Sequence, residues 1–362
     1  MFNSKDLPDC VFYSGSGHFE YAEKVIKSLE PKFKKELSFE NTNFEKYPDG
    51  EFANRIVNPE RIKDKIVVYF CSLYSEELYR ETTDIVSAMK QQYGAKHIIL
   101  VVSFMIYRRQ DHEENKIINN IKISEIPRLK YAIKSFKDIG VDEIITVTPH
   151  SKKMAKWCLE YGIGFTEIDT SMIIAEKFKI YLDDNSALIS PDAGSIERVI
   201  EVAKSIDKLT SLKIPVGFFL KTRGLDHNSG IKNCDDNEVQ CILEKYRKIY
   251  SNFYYADESF VKNKKVFLVD DEAATFNTAK DVANYLIFLG ALCVYYAATH
   301  PVLIGTWRYI VDSGIFQTII LGDTIPRPYK KQTGGKIDTF STADQMAYHL
   351  YLIILAISKK LL

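Results

Sequence analysis

Two adjacent carboxylates, Asp270 and Asp271, follow the apolar run Val266-Phe267-Leu268-Val269. Acids held at a strand end accept hydrogen bonds from sugar hydroxyls or hold a metal ion through water. Beyond them come Thr275, Phe276, Asn277 and Thr278, and then a helix-patterned stretch from Ala279 to Leu289. A helix start offers free N–H groups and the positive end of a dipole, which suits a phosphate. The same residues also read as a strand ending in solvated acids, with Thr278 an ordinary N-cap.

Other residue sets carry chemistry of a related kind. Arg108-Arg109-Gln110-Asp111 follows a buried-strand pattern, His97 to Phe104. Guanidinium groups there would fork onto phosphate oxygens, or pair with Asp111 and Glu113 on a surface loop. Lys221 and Arg223 follow Val216–Leu220, and His150 follows Glu143–Thr148. A lone histidine is often structural, but this one shares a strand terminus with the other candidates. Asp192 lies in Ser190-Pro191-Asp192-Ala193-Gly194, as an N-cap or as a ligand to metal and phosphate-bound water. Tyr47-Pro48-Asp49-Gly50-Glu51 is turn chemistry; its bracketing aromatics and acids could also grip a nucleobase. Ser14-Gly15-Ser16-Gly17 reads as a plain turn.

These residues need elements to position them. Short β-branched and aromatic runs alternate with stretches of helical spacing along most of the chain, which predicts repeated βα units. They fall into two halves with functional residues at strand C-termini, the place where open α/β sheets bind ligands. The polar stretch Leu225 to Asp236 reads as a loop. We expect an α/β fold of two doubly wound domains with mainly parallel sheets: residues 1–165, residues 166–330, and a C-terminal helix over 331–362 packing back on the core.

The 362 residues include 48 basic and 48 acidic side chains, so net charge gives no reason to expect nucleic acid or an anionic membrane as partner. At 46% hydrophobic and 27% charged residues the composition is that of a globular chain. Six scattered cysteines without CxxC spacing suggest reduced thiols and a cytoplasmic location. No signal peptide pattern opens the sequence, and the apolar tail Leu350–Ile357 is too short to span a bilayer.

In this order the motifs resemble the ribose-phosphate pyrophosphokinase family. The resemblance is carried by Tyr-Pro-Asp-Gly-Glu at 47–51, Arg-Arg-Gln-Asp at 108–111, His150, Ser-Pro-Asp-Ala-Gly at 190–194 and Lys-Thr-Arg at 221–223. It continues through Leu-Val-Asp-Asp at 268–271, Ala-Thr-His-Pro at 298–301 and Asp-Thr-Ile-Pro at 323–326. It implies two phosphoribosyltransferase-like domains. By position, it implies an ATP site at Asp49, Gly50, Glu51, Arg109 and Gln110, and magnesium near His150 and Asp192. Lys221 and Arg223, with His150, would be catalytic, and Asp270 and Asp271 would hold ribose hydroxyls. The implied reaction moves the β,γ-diphosphoryl group of ATP to the anomeric hydroxyl of a 5-phosphorylated ribose, in a homodimer or larger homo-oligomer.

Two departures bear on the acceptor and the metal. The family's phosphate loop reads Asp-Asp-x-x-Asp-Thr-Gly-Gly-Thr, whereas this chain has Ala274, Phe276 and Asn277 at an acid and two glycine positions. Glycine adopts positive φ freely; asparagine does so at a cost and phenylalanine less readily. A terminal 5-phosphate should then be held less well. That favours ADP-ribose as acceptor, with Phe276 stacking on a base or shaping a longer channel, in a role in NAD rebuilding. In the alternative, Phe276 packs beneath the loop and ribose 5-phosphate is kept. The other departure is Thr148-Pro149-His150 where the family has Asp-Leu-His, which loses an acid beside His150. A non-catalytic regulatory homologue would not need Lys221, Arg223, Asp192 and His150. A phosphoribosyltransferase or nucleotide sensor would lack the Arg-Arg-Gln-Asp and Lys-x-Arg pieces.

Overall fold

The computed structural model describes residues 9–119, 121–219 and 236–361. The chain divides into two compact units. The first runs through Ile168 and takes back Thr324–Pro326 and Ser341–Leu362; the second is Asp169–Asp323 with Arg327–Phe340.

The first unit is built from β1 (Cys10–Ser14), α1 (Phe19–Phe33), β2 (Phe39–Lys46), β3 (Phe52–Ile56), β4 (Ile66–Cys71), α2 (Glu76–Gln91) and β5 (His97–Val102). A two-stranded hairpin, β6 (Glu114–Ile118) and β7 (Ile121–Glu125), leads to α3 (Arg128–Asp138), β8 (Glu143–Val147), α4 (Lys153–Glu160) and β9 (Gly164–Ile168). The main sheet has the order β3-β2-β1-β4-β5-β8-β9, parallel except where β2 meets β3.

The reason for a parallel, doubly covered sheet is visible in β4. Ile66, Val68 and Phe70 enter one buried cluster, while Val67, Tyr69 and Cys71 enter the other. Unbroken apolar runs of this kind mark strands buried on both faces.

The second unit follows the same plan. Its elements are α5 (Ser171–Phe178), β10 (Ser186–Ser190), α6 (Ile196–Thr210), β11 (Val216–Phe218), α7 (Asp236–Arg247), β12 (Phe253–Tyr255), α8 (Glu258–Val261) and β13 (Lys265–Ala273). Then come α9 (Asn277–Phe288), β14 (Cys293–Pro301), α10 (Trp307–Asp312), β15 (Thr318–Gly322), α11 (Tyr329–Gln332) and β16 (Ile337–Phe340). The sheet is parallel throughout in the order β12-β11-β10-β13-β14-β15-β16. Strand order reverses between β10 and β13, which makes that crevice the switch point where such sheets bind ligands.

The last helix, α12 (Ala343–Leu361), belongs to the first unit. Ala343, Met346, Ala347, Leu350, Ile354 and Ile357 recur at helical spacing and enter the cluster of Phe12, Tyr21, Val25 and Phe33. The span 331–362, read from sequence as a helix, therefore also contains β16. Its buried ends, Ile337 and Phe340, complete the edge of the second sheet before the chain returns. No described helix is long and apolar enough to cross a membrane.

Candidate active site

In the second unit the loop after β10 and the end of β13 meet at the switch point. Asp192 caps the single 3-10 turn Ala193–Ser195 that leads into α6, accepting from the backbone N–H and the hydroxyl of Ser195 at 2.8 Å each. Asp192 is thus an N-cap, as one of its two sequence readings expected. Asp270 is half-buried and Asp271 buried. Arg198, in the first turn of α6, places Nη1 3.7 Å from Asp271 Oδ1. Burial pushes the Asp270 carboxyl well above the usual carboxylate range, and the charge of Asp271 pushes it further. The Arg198 guanidinium pulls the other way, and nearby Asp192 adds to the rise. Among the described residues, one arginine faces three carboxylates here. Such a site favours hydrogen-bond donors and cations.

The strand does not stop at the acids. β13 stays paired with β14 through Glu272↔His300 and Ala273↔Pro301. The carbonyls of Ala273 and Ala274 then accept from the backbone of Leu303 and Ile304, at 2.9 and 3.1 Å. Thr306 Oγ1 lies 3.1 Å from both the Thr275 carbonyl and Asn277 Oδ1. The Asn277 N–H reaches Thr275 Oγ1 at 3.3 Å. Segment 303–306 therefore fastens the Thr275–Asn277 loop. Thr278 is exposed in the first turn of α9.

Phe276 adopts the left-handed region, with φ of 63°. The sequence reading expected phenylalanine to resist this conformation and offered its ring for stacking on an acceptor base. The residue takes the disfavoured conformation, and its ring follows the alternative reading, packed beneath the loop. The ring is only 4% exposed and packs on Tyr296 and Phe316, with centroids 5.1 and 6.1 Å away. A left-handed backbone costs about 1–2 kcal/mol per residue. Burying an aromatic side chain offsets that, because such burial contributes about 1.5–3 kcal/mol.

In the first unit, Asp49, Gly50 and Glu51 form the exposed turn of hairpin β2–β3. Asp49 accepts from the Glu51 N–H at 3.0 Å, and Gly50 has φ of 96°, which glycine adopts without strain. Arg109 and Gln110 are exposed after β5, while Arg108 lies over the Phe104 ring at 4.4 Å. His150 is exposed after β8. These two loops meet. Lys153 Nζ donates to the Asp111 carbonyl at 3.0 Å and lies 3.8 Å from its carboxylate. Burial works against the Asp111 carboxylate, but hydrogen bonds with Ser151 and His112 and the Lys153 charge hold it below the usual range. The Arg109–Gln110 and His150 segments are thus brought together.

Thr148, where the family has an acid, is buried at φ of 33°. Its N–H and hydroxyl both reach the Ile168 carbonyl, at 3.0 and 3.3 Å. A β-branched residue in this region is strained, of the kind that persists at functional loops.

Ser14-Gly15-Ser16-Gly17 is a turn filled by the protein itself. The Ser16 N–H and hydroxyl donate to the buried Glu81 carboxylate at 3.0 and 2.5 Å. A Cβ on Gly15 would lie 2.6 Å from the Tyr69 hydroxyl, and one on Gly17 2.7 Å from the Ser72 carbonyl.

Lys221 and Arg223 lie outside the described residues. Arg198 and the helper Glu81 were missed in the sequence. An arginine on an amphipathic helix reads as solvent-facing, and only its place six residues after Asp192 hints otherwise.

The fold and this acidic switch point define a protein of two doubly wound α/β units of phosphoribosyltransferase type. Residues 10–129 match the N-terminal domain of ribose phosphate pyrophosphokinase. A ribose-phosphate pyrophosphokinase of Xanthomonas axonopodis pv. citri is 23% identical over 345 residues, covering 95% of this chain and 94% of that one. One from Campylobacter jejuni is 24% identical over 318 residues, 87% of each chain. A phosphoribosylpyrophosphate synthetase structure from Mycobacterium smegmatis superposes with a TM-score of 0.72 at 20% identity, over 97% of this chain and 99% of that one. The chain is thus similar to ribose-phosphate pyrophosphokinases along most of its length, and residues 10–129 match their N-terminal domain.

Proposed function

We propose that this chain is a diphosphotransferase that moves the β,γ-diphosphoryl group of ATP to the anomeric hydroxyl of ribose 5-phosphate. The observation that carries the reading is the Asp270–Asp271 pair at the switch point of the second sheet, with Arg198 3.7 Å from Asp271. Such a pair accepts hydrogen bonds from vicinal ribose hydroxyls and orients the sugar for attack.

The anomeric oxygen would attack the β-phosphorus in line, and AMP would leave. The protein's share of such a reaction is positioning and electrostatics. Arg109 and Gln110 would bind the ATP phosphates or base, and the Asp49–Glu51 turn is given a part in that site by its match to the family motif. Lys221 and Arg223 would neutralise charge on the transferring group, by their match to the family motif. The oxygen donors near the switch point suit Mg²⁺, which prefers carboxylate and phosphate oxygens and retains water. Asp192 keeps one carboxylate oxygen beyond its N-cap bond for that purpose, and a part for His150 rests on its match to the family motif alone. The chemistry such an ion would supply when bound is charge neutralisation on the phosphates. The reading also carries a homo-oligomer, which light scattering reads.

Ribose 5-phosphate is favoured over ADP-ribose on two grounds. The relatives are named for ribose phosphate. The burial of Phe276 removes the aromatic surface on which a longer acceptor depended. The altered loop still makes the acceptor worth testing directly. ATP and Mg²⁺ are supplied with each sugar, and AMP release is followed. Release with ribose 5-phosphate and little with ADP-ribose is expected. Turnover with ADP-ribose alone would overturn the acceptor, and none with either would overturn the activity.

A further inference from the structure

The hairpin β6–β7 stands as its own two-stranded sheet, apart from the seven-stranded one. The pair at its base is Glu114 opposite Glu125. Like charges directly opposite on antiparallel strands repel, and an isolated two-stranded hairpin has little stability with which to oppose them. His112 lies two residues before β6, with Nε2 3.6 Å from Glu114 Oε2. His112, Glu114 and Glu125 each offer one ligand atom, all within 4.8 Å of one another, in the single group of this kind among the described residues. Three ligands around one ion at about 2.0–2.2 Å lie within such a span.

The orientation of the imidazole is a separate observation. His112 Nδ1 is 2.8 Å from Asp111 Oδ1. A carboxylate on one ring nitrogen fixes the tautomer and directs the other nitrogen outward, the arrangement that orients metal-binding histidines. Asp111 is itself anchored from the loop before α4, by Lys153 and by Ser151. The ring is therefore held from behind and faces the two glutamates.

We propose that His112, Glu114 and Glu125 bind one divalent transition-metal ion of the zinc class, which pins the base of hairpin β6–β7 to the Arg108–Asp111 segment. An imidazole with two carboxylates suits Zn²⁺, Co²⁺ or Mn²⁺, whereas Mg²⁺ seeks oxygen ligands in an octahedron. Three protein ligands leave the fourth tetrahedral position to water, and half-exposed His112 and Glu114 leave the site open to solvent. Binding would turn the Glu114–Glu125 repulsion into attraction and fix the residues on either side of Gln110. This site is separate from the magnesium considered above and does not depend on the diphosphoryl-transfer reading.

The test titrates the full-length, metal-stripped protein with Co²⁺, followed by its visible absorption bands, and with Zn²⁺ against a chelating dye. Excess Mg²⁺ is present to fill oxygen sites. We expect one equivalent in the wild-type chain and at least tenfold weaker binding in both His112→Ala and Glu125→Gln. Asp111→Asn should weaken binding by about 10–100-fold through the ring it orients. The substituted ligand positions are solvent-accessible, and melting of the metal-free variants checks that they fold. Equal stoichiometry and affinity in the wild type and both ligand variants would overturn the site. So would wild-type binding no tighter than millimolar.

Discussion

Arg198 Nη1 stands 3.7 Å from Asp271 Oδ1, joining the first turn of α6 to the acidic end of β13. Removing the guanidinium leaves Asp270 and Asp271 without their nearest positive charge. The contact is an ion pair beyond hydrogen-bond distance, so Arg198→Ala should cost about 10-fold in kcat/KM for the sugar acceptor, or about 1.4 kcal/mol. Its melting temperature should fall more at pH 8 than at pH 5, because protonation relieves the acids at the lower pH. Steady-state kinetics and melts at both pH values check this.

Asp270→Asn should stabilise the ligand-free protein while impairing turnover. The folded-state pKa of Asp270 lies above its unfolded value, so its contribution is fully present below the unfolded pKa and is lost as pH rises through the folded one. Asparagine removes that loss. A gain of 1 kcal/mol would raise Tm by about 2–4 °C in a domain of this size. The gain should appear at neutral and alkaline pH and vanish in acid. An unchanged Tm at pH 8 would contradict the electrostatic picture of the acidic pair.

Phe276→Ala separates a core role from an acceptor-binding one. Truncating a buried phenylalanine costs about 3–5 kcal/mol, less the small relief at a left-handed residue. A large loss of denaturant stability is expected, with no change in the ratio of activities on ribose 5-phosphate and ADP-ribose. Retained stability with a shifted ratio would return Phe276 to the acceptor.

Glu81→Ala should loosen the Ser14–Gly17 turn. The Ser16 N–H and hydroxyl lose their acceptor in a largely buried setting. An unsatisfied buried donor costs about 1–3 kcal/mol. Amide exchange at Ser16 should quicken more than exchange in β5, where the ladder is untouched.

The architecture was largely legible in the residues. Continuous apolar runs such as Val266–Val269 marked the parallel strands, and their ends marked the candidate residues. Edge elements were less so. Strand β16 has only Ile337 and Phe340 buried, and the β6–β7 hairpin is largely exposed, so neither leaves a long apolar run to read. The Asp270–Asp271 pair read as a strand terminus, but β13 runs on to Ala273 because the backbone of Leu303 and Ile304 extends its hydrogen bonding. Phe276 misled for a related reason. Local preference opposes phenylalanine at positive φ, and a tertiary contact with Tyr296 and Phe316 outweighs that preference. Arg198 could not be read because its partner lies far along the sequence.

The docking of α12 onto the first unit has a consequence for biosynthesis. A ribosome delivers residues in order, so the strands before Ile168 emerge long before their covering helix exists. Until Met346, Leu350 and Ile354 arrive, the greasy flank bearing Val25 and Phe33 stays wet. The nascent chain must shelter that flank, with a chaperone or a provisional fold, through the synthesis of the whole second unit. Maturation of the earlier-made half is thereby gated by residues translated after the whole second unit.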